Sequence, residues 1–347
     1  MSRFVTARLA IARVAVVLAL LGLALTGCVT REDGATAQQV PDSVPLSELA
    51  DLTLQVGDQK GGTEALLTAA GALDDLPYRI AFSTFTSGPP QIEAATAGKI
   101  DFAVTGNTPP IFGAASGAKV KVVSAYDGSG RGDQVLVHRD SPVQSVTDLR
   151  GKRIALAKGS SAHGNVLAQL HREGLTPDDV GLVFLQPADA LGAFTQRQVD
   201  AWAVWDPYTA QAEADIPVRS IAAATGVTNG AGFGVASDQA LADPKRNTAI
   251  SDLLVRYAKA VRWAYDNPGE WAARYSAAVG LDPAVGEAAQ NRSLRLPIAL
   301  SDELITSEQE LADLFAASGQ ITDAPEFAKW VDQRYAETLA PLYLDRR

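Results

Sequence analysis

From residue 52 onward, short apolar runs alternate with helix-length segments. This alternation commits the chain to βαβ units and a largely parallel sheet. Strands are expected at 52–56, 78–82, 101–105 and 120–124, and in a second series at 134–137, 153–157, 181–185, 200–205 and 218–221. Segments with helical spacing, such as 64–70, 90–97 and 162–172, lie between them. The series restarts after the Gly/Ser/Asp-rich stretch 127–133, which implies two α/β lobes rather than one long sheet. After Gly234 the character changes. Segments 247–266, 268–279, 283–292, 301–317 and 324–344 read as helices, and Pro268, Pro283 and Pro325 sit near helix starts, where proline is tolerated. Their apolar faces are expected to cover the first lobe's sheet. Gly230-Ala231-Gly232-Phe233-Gly234 reads as a flexible return crossover between lobes. It fails as a dinucleotide fingerprint, because it neither follows the first strand nor opens a helix of the right kind.

The start of the chain points to export. Arg3, Arg8 and Arg13 form a positive region, and 14–25 is an apolar run of 12 residues. A membrane span needs about 20, whereas a signal peptide needs no more than this. Leu25-Thr26-Gly27-Cys28 follows and looks like a bacterial lipobox, with cleavage before Cys28 and acylation of its sulfur; the plainer alternative is a buried cysteine beside a generic signal peptide. Residues 29–50 are polar, contain proline and lack periodicity, so they read as a tether. The expected organisation is a leader at 1–27, a tether at 28–50, lobe 1 from 51–133 with 230–347, and lobe 2 from 134–229.

Several function classes are excluded at this point. Thirty basic against 40 acidic residues give a net charge of −10 with no basic run, which argues against nucleic acid. A single Cys rules out intrachain disulfides and multi-Cys metal sites. His138, His163 and His171 have no H-x-x-x-H spacing, so neither a zinc centre nor any cofactor is expected.

In open α/β sheets, ligands bind beyond the carboxyl ends of strands, at helix N-termini. Five turns occupy such positions here: 57–62, 83–90, 105–110, 158–163 and 205–208. Four are rich in Gly, Ser, Thr or Asn, residues that cap helices and leave backbone N–H groups pointing outward. Each alone reads equally as a plain cap, but five at one sheet edge describe an anion site. Alternation along 200–205 puts Trp202 in the core and Trp205 at the strand end, as a cleft wall or an ordinary packing residue. Ser160 and His163 are three apart at a helix start, which is capping geometry. With no G-x-S-x-G elbow, His163 is expected to make a polar ligand contact or a helix-start hydrogen bond, and not to act as a base.

At these turns the chain resembles the aliphatic sulfonate-binding proteins, substrate-capturing components of ABC importers related to taurine- and nitrate-binding proteins. The matching stretches are QKGG (59–62), SGPPQIEAATAGKIDFAVTGNTPPIF (87–112), KGSSAH (158–163), FLQPADALGAF (184–194) and VDAWAVWDPY (199–208). The resemblance implies an α/β type II periplasmic-binding fold, with two Rossmann-like lobes around a ligand cleft, a helical C-terminal part and closure by a hinge. It implies ligand contacts from Gln59, Ser87, Gly88, Thr105, Gly106, Asn107, Ser160, Ser161, Trp205 and Asp206. Asn107 stands where the family usually has Asp, and the expected consequence is a weaker preference for amino-sulfonates. The resulting expectation is a non-enzymatic, monomeric receptor. It would hold a small organic anion and deliver it to an ABC permease, and only a lipid on Cys28 would join it to the outer face of the membrane. Nitrate, a sulfate ester or a pyrimidine vitamin precursor are the alternative ligands, and an enzyme on this fold is the remote alternative.

Overall fold

A computed structural model describing residues 41–60 and 62–344 folds the expected alternation into two separate mixed sheets. The elements run β1 (Thr53–Gln59), α1 (Gly62–Ala69), β2 (Arg79–Phe85), α2 (Gly88–Thr96), β3 (Phe102–Gly106), α3 (Thr108–Ala115) and β4 (Val120–Asp127). They continue as β5 (Gln134–His138), β6 (Arg153–Leu156), α4 (Ser161–Arg172), β7 (Gly181–Phe184), α5 (Pro187–Thr195), β8 (Ala201–Val204), α6 (Tyr208–Asp215) and β9 (Val218–Ala223). The last part is β10 (Ala231–Ser237), α7 (Asp238–Ala242), α8 (Pro244–Asp266), α9 (Pro268–Val279), α10 (Pro283–Ser293), β11 (Leu296–Ile298), α11 (Asp302–Ala317) and α12 (Ala336–Leu339). Sheet 1 has the order β11-β4-β10-β3-β1-β2 and sheet 2 the order β7-β6-β8-β5-β9.

The sheets are less parallel than the alternation implied. β10 pairs antiparallel with both β3 and β4, β11 antiparallel with β4, and β5 antiparallel with β8 and β9. The cause is the double passage of the chain: it leaves sheet 1 after β4, builds all of sheet 2, and returns with its direction reversed. The return is itself a strand. The stretch 230–234, expected to be a flexible crossover, forms most of β10, which is buried along its whole length in the middle of sheet 1. The two passages, 128–133 and 224–230, lie against each other. A Cβ on Gly128 would stand 2.4 Å from the Gly230 carbonyl oxygen, so only glycine permits this approach.

Helices cover both faces of sheet 1. On one face Leu54, Val56 and Phe102 pack with Leu66 of α1 and with Ile250, Leu253, Tyr257 and Trp271 of α8 and α9. On the other, Phe233 and Ile111 pack with Phe315 of α11. The C-terminal helices therefore cover the sheet as expected. α8 begins three residues earlier than expected because Asp243 caps it, accepting the Arg246 N–H at 2.9 Å with Pro244 at the first helical position.

Two expectations fail at the ends of the folded part. Segment 324–344 is no continuous helix. It consists of 3₁₀ turns at Phe327–Trp330 and Ala340–Leu342 flanking α12. Its backbone is drawn off by other elements: Phe327 N–H donates to Gln309 Oε1 (2.8 Å) and Asp332 N–H to the Val122 carbonyl (2.8 Å). The tether also ends sooner than residue 50. Leu46–Leu49 is a 3₁₀ turn with Leu49 in the core, and Val44 N–H donates to Thr248 Oγ1 (3.1 Å). The expected leader, Cys28 and tether residues 28–40 lie outside the described residues. No described helix is long and apolar enough to cross a membrane.

Candidate functional site

The carboxyl ends of β1 and β3 in sheet 1 face the end of β8 in sheet 2 across a cavity. Its main chamber, about 120 Å³, is bounded by Asp58 and Gln59 at the end of β1 and Lys60 just after it, Trp205 and Tyr208 after β8, and Tyr257, Trp271 and Tyr275 from α8 and α9. A smaller recess of about 40 Å³ is bounded by Gly106, Asp133, Ser161 and the glycines of the two passages. Trp205, Asp206, Ser293 and Arg295 line both spaces.

Five of the residues expected to bind ligand therefore meet here: Gln59, Gly106, Ser161, Trp205 and Asp206. Gln59 donates from Nε2 to Gln91 Oε1 (2.7 Å), which fixes its amide plane. Asp206 is already committed. It holds Arg292 by two bonds of 2.9 and 3.1 Å and accepts the Ala210 N–H at 3.1 Å. Burial pushes its carboxyl up to about 6, against the opposing pull of Arg292. Asp206 thus orients Arg292, which also reaches Glu213, more than it offers itself to an anion.

The other six lie behind the cavity walls. Ser87 is fully buried and donates to Gln186 Oε1 (3.0 Å), beside Thr86, which donates to the same oxygen (2.9 Å). Gly88 packs directly on Thr105 and Pro109. Thr105, also buried, contributes its carbonyl, which accepts from Arg295 Nη1 at 3.2 Å. Ser160 Oγ donates to the Ala157 carbonyl (2.7 Å). His163 Nδ1 accepts the Gly159 N–H (3.2 Å), the helix-start bond that was one of its two expected roles. Its ring sits among Phe112, Phe184 and Phe315 at 5.0–5.7 Å. Burial there pushes its pKa down to about 4, so the imidazole is neutral. The Ser160 hydroxyl faces a carbonyl, not this ring.

Asn107 is the informative case. It is 2% exposed; its Nδ2 donates to Asn229 Oδ1 (3.3 Å) and its Oδ1 accepts from Thr108 Oγ1 (3.0 Å). Asn229 in turn donates to Glu308 Oε1 (2.5 Å). Asn107 belongs to a buried polar chain joining α3, the return passage and α11, not to the cavity surface.

Sequence reading missed Arg295, Lys60, Asp58 and the aromatic wall. Arg295 uses one of five N–H donors on Thr105, a residue 190 positions away, and lines both spaces. Lys60 Nζ lies 5.5 Å from the Tyr208 ring centre. Trp271 and Tyr275 carried a signal: at i and i+4 they share one face of α9, with ring centres 5.4 Å apart. That signal reads equally well as core packing. Among the described residues no cluster of three or more His, Cys, Asp or Glu could hold a metal. The arrangement can seat a small organic ion: Lys60 and Arg295 supply positive charge, the carboxyls of Asp58, Asp133 and Asp206 share the lining, and Trp205, Tyr208, Tyr257, Trp271 and Tyr275 supply aromatic surface.

A family model described as NMT1/THI5 like matches residues 86–271. A putative aliphatic sulfonates-binding protein of Escherichia coli (strain K12) is 32% identical over 273 residues, 78% of this chain and 85% of that relative. The structure of the alkanesulfonate-binding protein SsuA from Xanthomonas axonopodis pv. citri, bound to MOPS, is similar with a TM-score of 0.75 at 30% identity, covering 82% of this chain and 99% of that one. The periplasmic aliphatic sulphonate binding protein SsuA from Escherichia coli gives 0.72 at 29% identity, covering 81% and 92%.

Proposed function

The chain belongs to the NMT1/THI5-like family, and on that premise we propose that it is the solute-binding component of an ABC importer and captures aliphatic sulfonates between its two sheets. The fold is the periplasmic-binding one, with two sheets around a cleft and a helical C-terminal part. The observation that carries the ligand class is the position of Arg295. Arg295 lines both chamber and recess, as Trp205 does, and its charge opposes the effect of burial on the Asp133 carboxyl in the recess. A sulfonate spreads one charge over three oxygens and suits a fork of N–H donors with further neutral donors around it. The organic tail is covered by Trp205, Tyr208, Tyr257, Trp271 and Tyr275. A bare inorganic anion would leave that aromatic wall without a partner.

In this reading lobe 1 comprises 51–133 and 230–347, lobe 2 comprises 134–229, and the glycine-rich passages are the hinge. Gln59, Gly106, Ser161 and Trp205 line the ligand. Ser87, Gly88, Thr105, Asn107, Ser160, His163 and Asp206 position the walls, and Thr105 does so by holding Arg295. The protein works as an exported monomer, anchored by a lipid on Cys28, and hands its ligand to a permease unchanged.

Calorimetric titration of the detergent-solubilised full-length chain with ethanesulfonate, hexanesulfonate, nitrate and sulfate tests the reading. An alkanesulfonate is expected to bind with a Kd on the order of micromolar or tighter while nitrate is silent, and Arg295→Gln is expected to weaken binding at least about tenfold. Silence from every sulfonate, or an Arg295→Gln variant that binds as well as the parent, would overturn it.

A further inference from the structure

We propose that Asp133 is a specificity-determining residue that admits an oxyanion head carrying one negative charge and turns away a head carrying two. The proposal rests on the sulfonate reading of the same cleft and adds the charge state that its smaller recess accepts.

Asp133 closes the first glycine-rich passage, directly before β5. Its carbonyl accepts the Ala224 N–H (2.9 Å) and an N–H of Asn165 Nδ2 (3.3 Å), so the second passage and α4 both hold its backbone. Its carboxyl lines the recess and accepts from the Ser161 hydroxyl at the start of α4. Five glycines form much of the remaining lining, and besides Trp205 the polar side chains there are Asp133, Asp206, Ser161, Ser293 and Arg295. A Cβ on Gly132 would stand 2.7 Å from Asp206 Oδ2, so a second carboxyl lies against the residue next to Asp133.

Positive charge around Asp133 is already matched. Asp206 is paired with Arg292, which Glu213 also shares. Arg295 is the cation that acts on Asp133. Arg131, two residues away on the same passage, donates to the Asn291 carbonyl (3.0 Å). On the chamber side Lys60 and Asp58 supply one charge of each sign. Burial pushes the carboxyls of Asp133 and Asp206 up to about 6, and the Asp133 charge adds to the rise at Asp206.

An anion in the recess therefore shares Arg295 with Asp133. Repulsion from the carboxylate grows in proportion to the charge of the ligand, and it is strongest where water is scarce. A sulfonate brings one charge, spread over three oxygens, and no proton. A doubly charged head of the same shape is repelled twice as strongly. A head that keeps one acidic proton behaves differently, because its charge is single and its O–H donates to a carboxylate. The Asp133 carboxyl thus opposes an alkylphosphonate in its doubly charged form and accepts a hydrogen bond from it in its singly protonated form.

The test uses propane-1-sulfonate and propane-1-phosphonate, which share a tail and a tetrahedral head. The sulfonate stays singly charged, whereas the phosphonate passes from one charge to two as pH rises through neutrality. Both are titrated calorimetrically into the solubilised full-length chain at about pH 6 and about pH 9, and into Asp133→Asn at the higher pH. The parent is expected to prefer the sulfonate by at least about a hundredfold at the higher pH and by about tenfold or less at the lower. Asp133→Asn is expected to tighten the sulfonate about threefold and the phosphonate about tenfold, because the lost repulsion counts twice for the dianion. A preference for the sulfonate that is no larger at the higher pH overturns the proposal and leaves the sulfonate reading intact. An Asp133→Asn variant that weakens the sulfonate, or tightens both probes equally, overturns the role of Asp133. Binding of neither probe removes the sulfonate reading and this proposal with it. Asp133→Ser, also neutral and smaller, takes the place of the asparagine variant if that one does not fold.

Discussion

Glu308 lies at the end of the polar chain that begins at Asn107. Oε1 accepts from Asn229 at 2.5 Å, while Oε2 is buried with no partner among the described residues. Burial pushes its carboxyl up to about 8, from 4.5. The folded protein therefore keeps a proton that the unfolded chain releases first, so the Glu308 contribution to stability falls as pH rises from about 4.5 to about 8 and levels off above. Glu308→Gln is neutral at every pH and nearly isosteric with the protonated acid. Its melting temperature is expected to vary less over that window and to exceed the parent's at pH 8, by the equivalent of a few kcal/mol at most. Parallel pH dependences for the two proteins would refute this. At this scale the sequence was readable where site residues follow strand ends in short turns: Gln59, Gly106, Ser161 and Trp205 all reach the cavity. It was unreadable where position depends on distant chain. Arg295 reaches the site only because β11 pairs with β4, and nothing local to residue 295 announces that.

At the scale of elements, periodicity located nine of the strands to within a few residues and failed on β10 and β11. β11 has three residues, too short for any pattern. β10 was disguised by its glycines, and those glycines are what its place requires. A Cβ on Gly234 would stand 2.1 Å from Ser124 Oγ and 2.9 Å from the Phe102 ring, and Ser124 is held in place by its bond to the Tyr126 hydroxyl (3.0 Å). Gly234→Ala is accordingly expected to destabilise the protein by about 1–3 kcal/mol through overpacking, as read by urea unfolding. Adding Ser124→Ala should restore only part of the loss, because Phe102 remains. A Gly234→Ala protein as stable as the parent would mean that β10 is loosely seated.

Across the whole molecule, the parts of the chain around the two sheets meet through packed rings and hydrogen bonds: the His163 ring lies against Phe112 and Phe315, and Lys60 lies over the Tyr208 ring. Gln186, at the start of α5, takes the hydroxyls of Thr86 and Ser87, and Arg292 joins α10 to Asp206 and Glu213. On the proposed reading of a receptor that closes by a hinge, contacts across the cleft act on escape of the ligand more than on its entry. Gln186→Ala is expected to raise the dissociation rate of a bound sulfonate by about three- to tenfold, the worth of one or two hydrogen bonds, with little change in association rate. Stopped-flow measurement separates the two, and a change confined to association would count against the contact as a latch.

The position of β10 also sets an order of assembly. Sheet 2 is built wholly from residues 134–223, so it can be completed as soon as that stretch has emerged from the ribosome. Sheet 1 cannot. Until residue 237 is available, β3 and β4 have an open slot between them where their common neighbour belongs, and each exposes an unpaired edge. A chain that emerges N-terminus first can therefore finish its second-made sheet while its first-made sheet is still split, and the half that starts earliest is the last that can close.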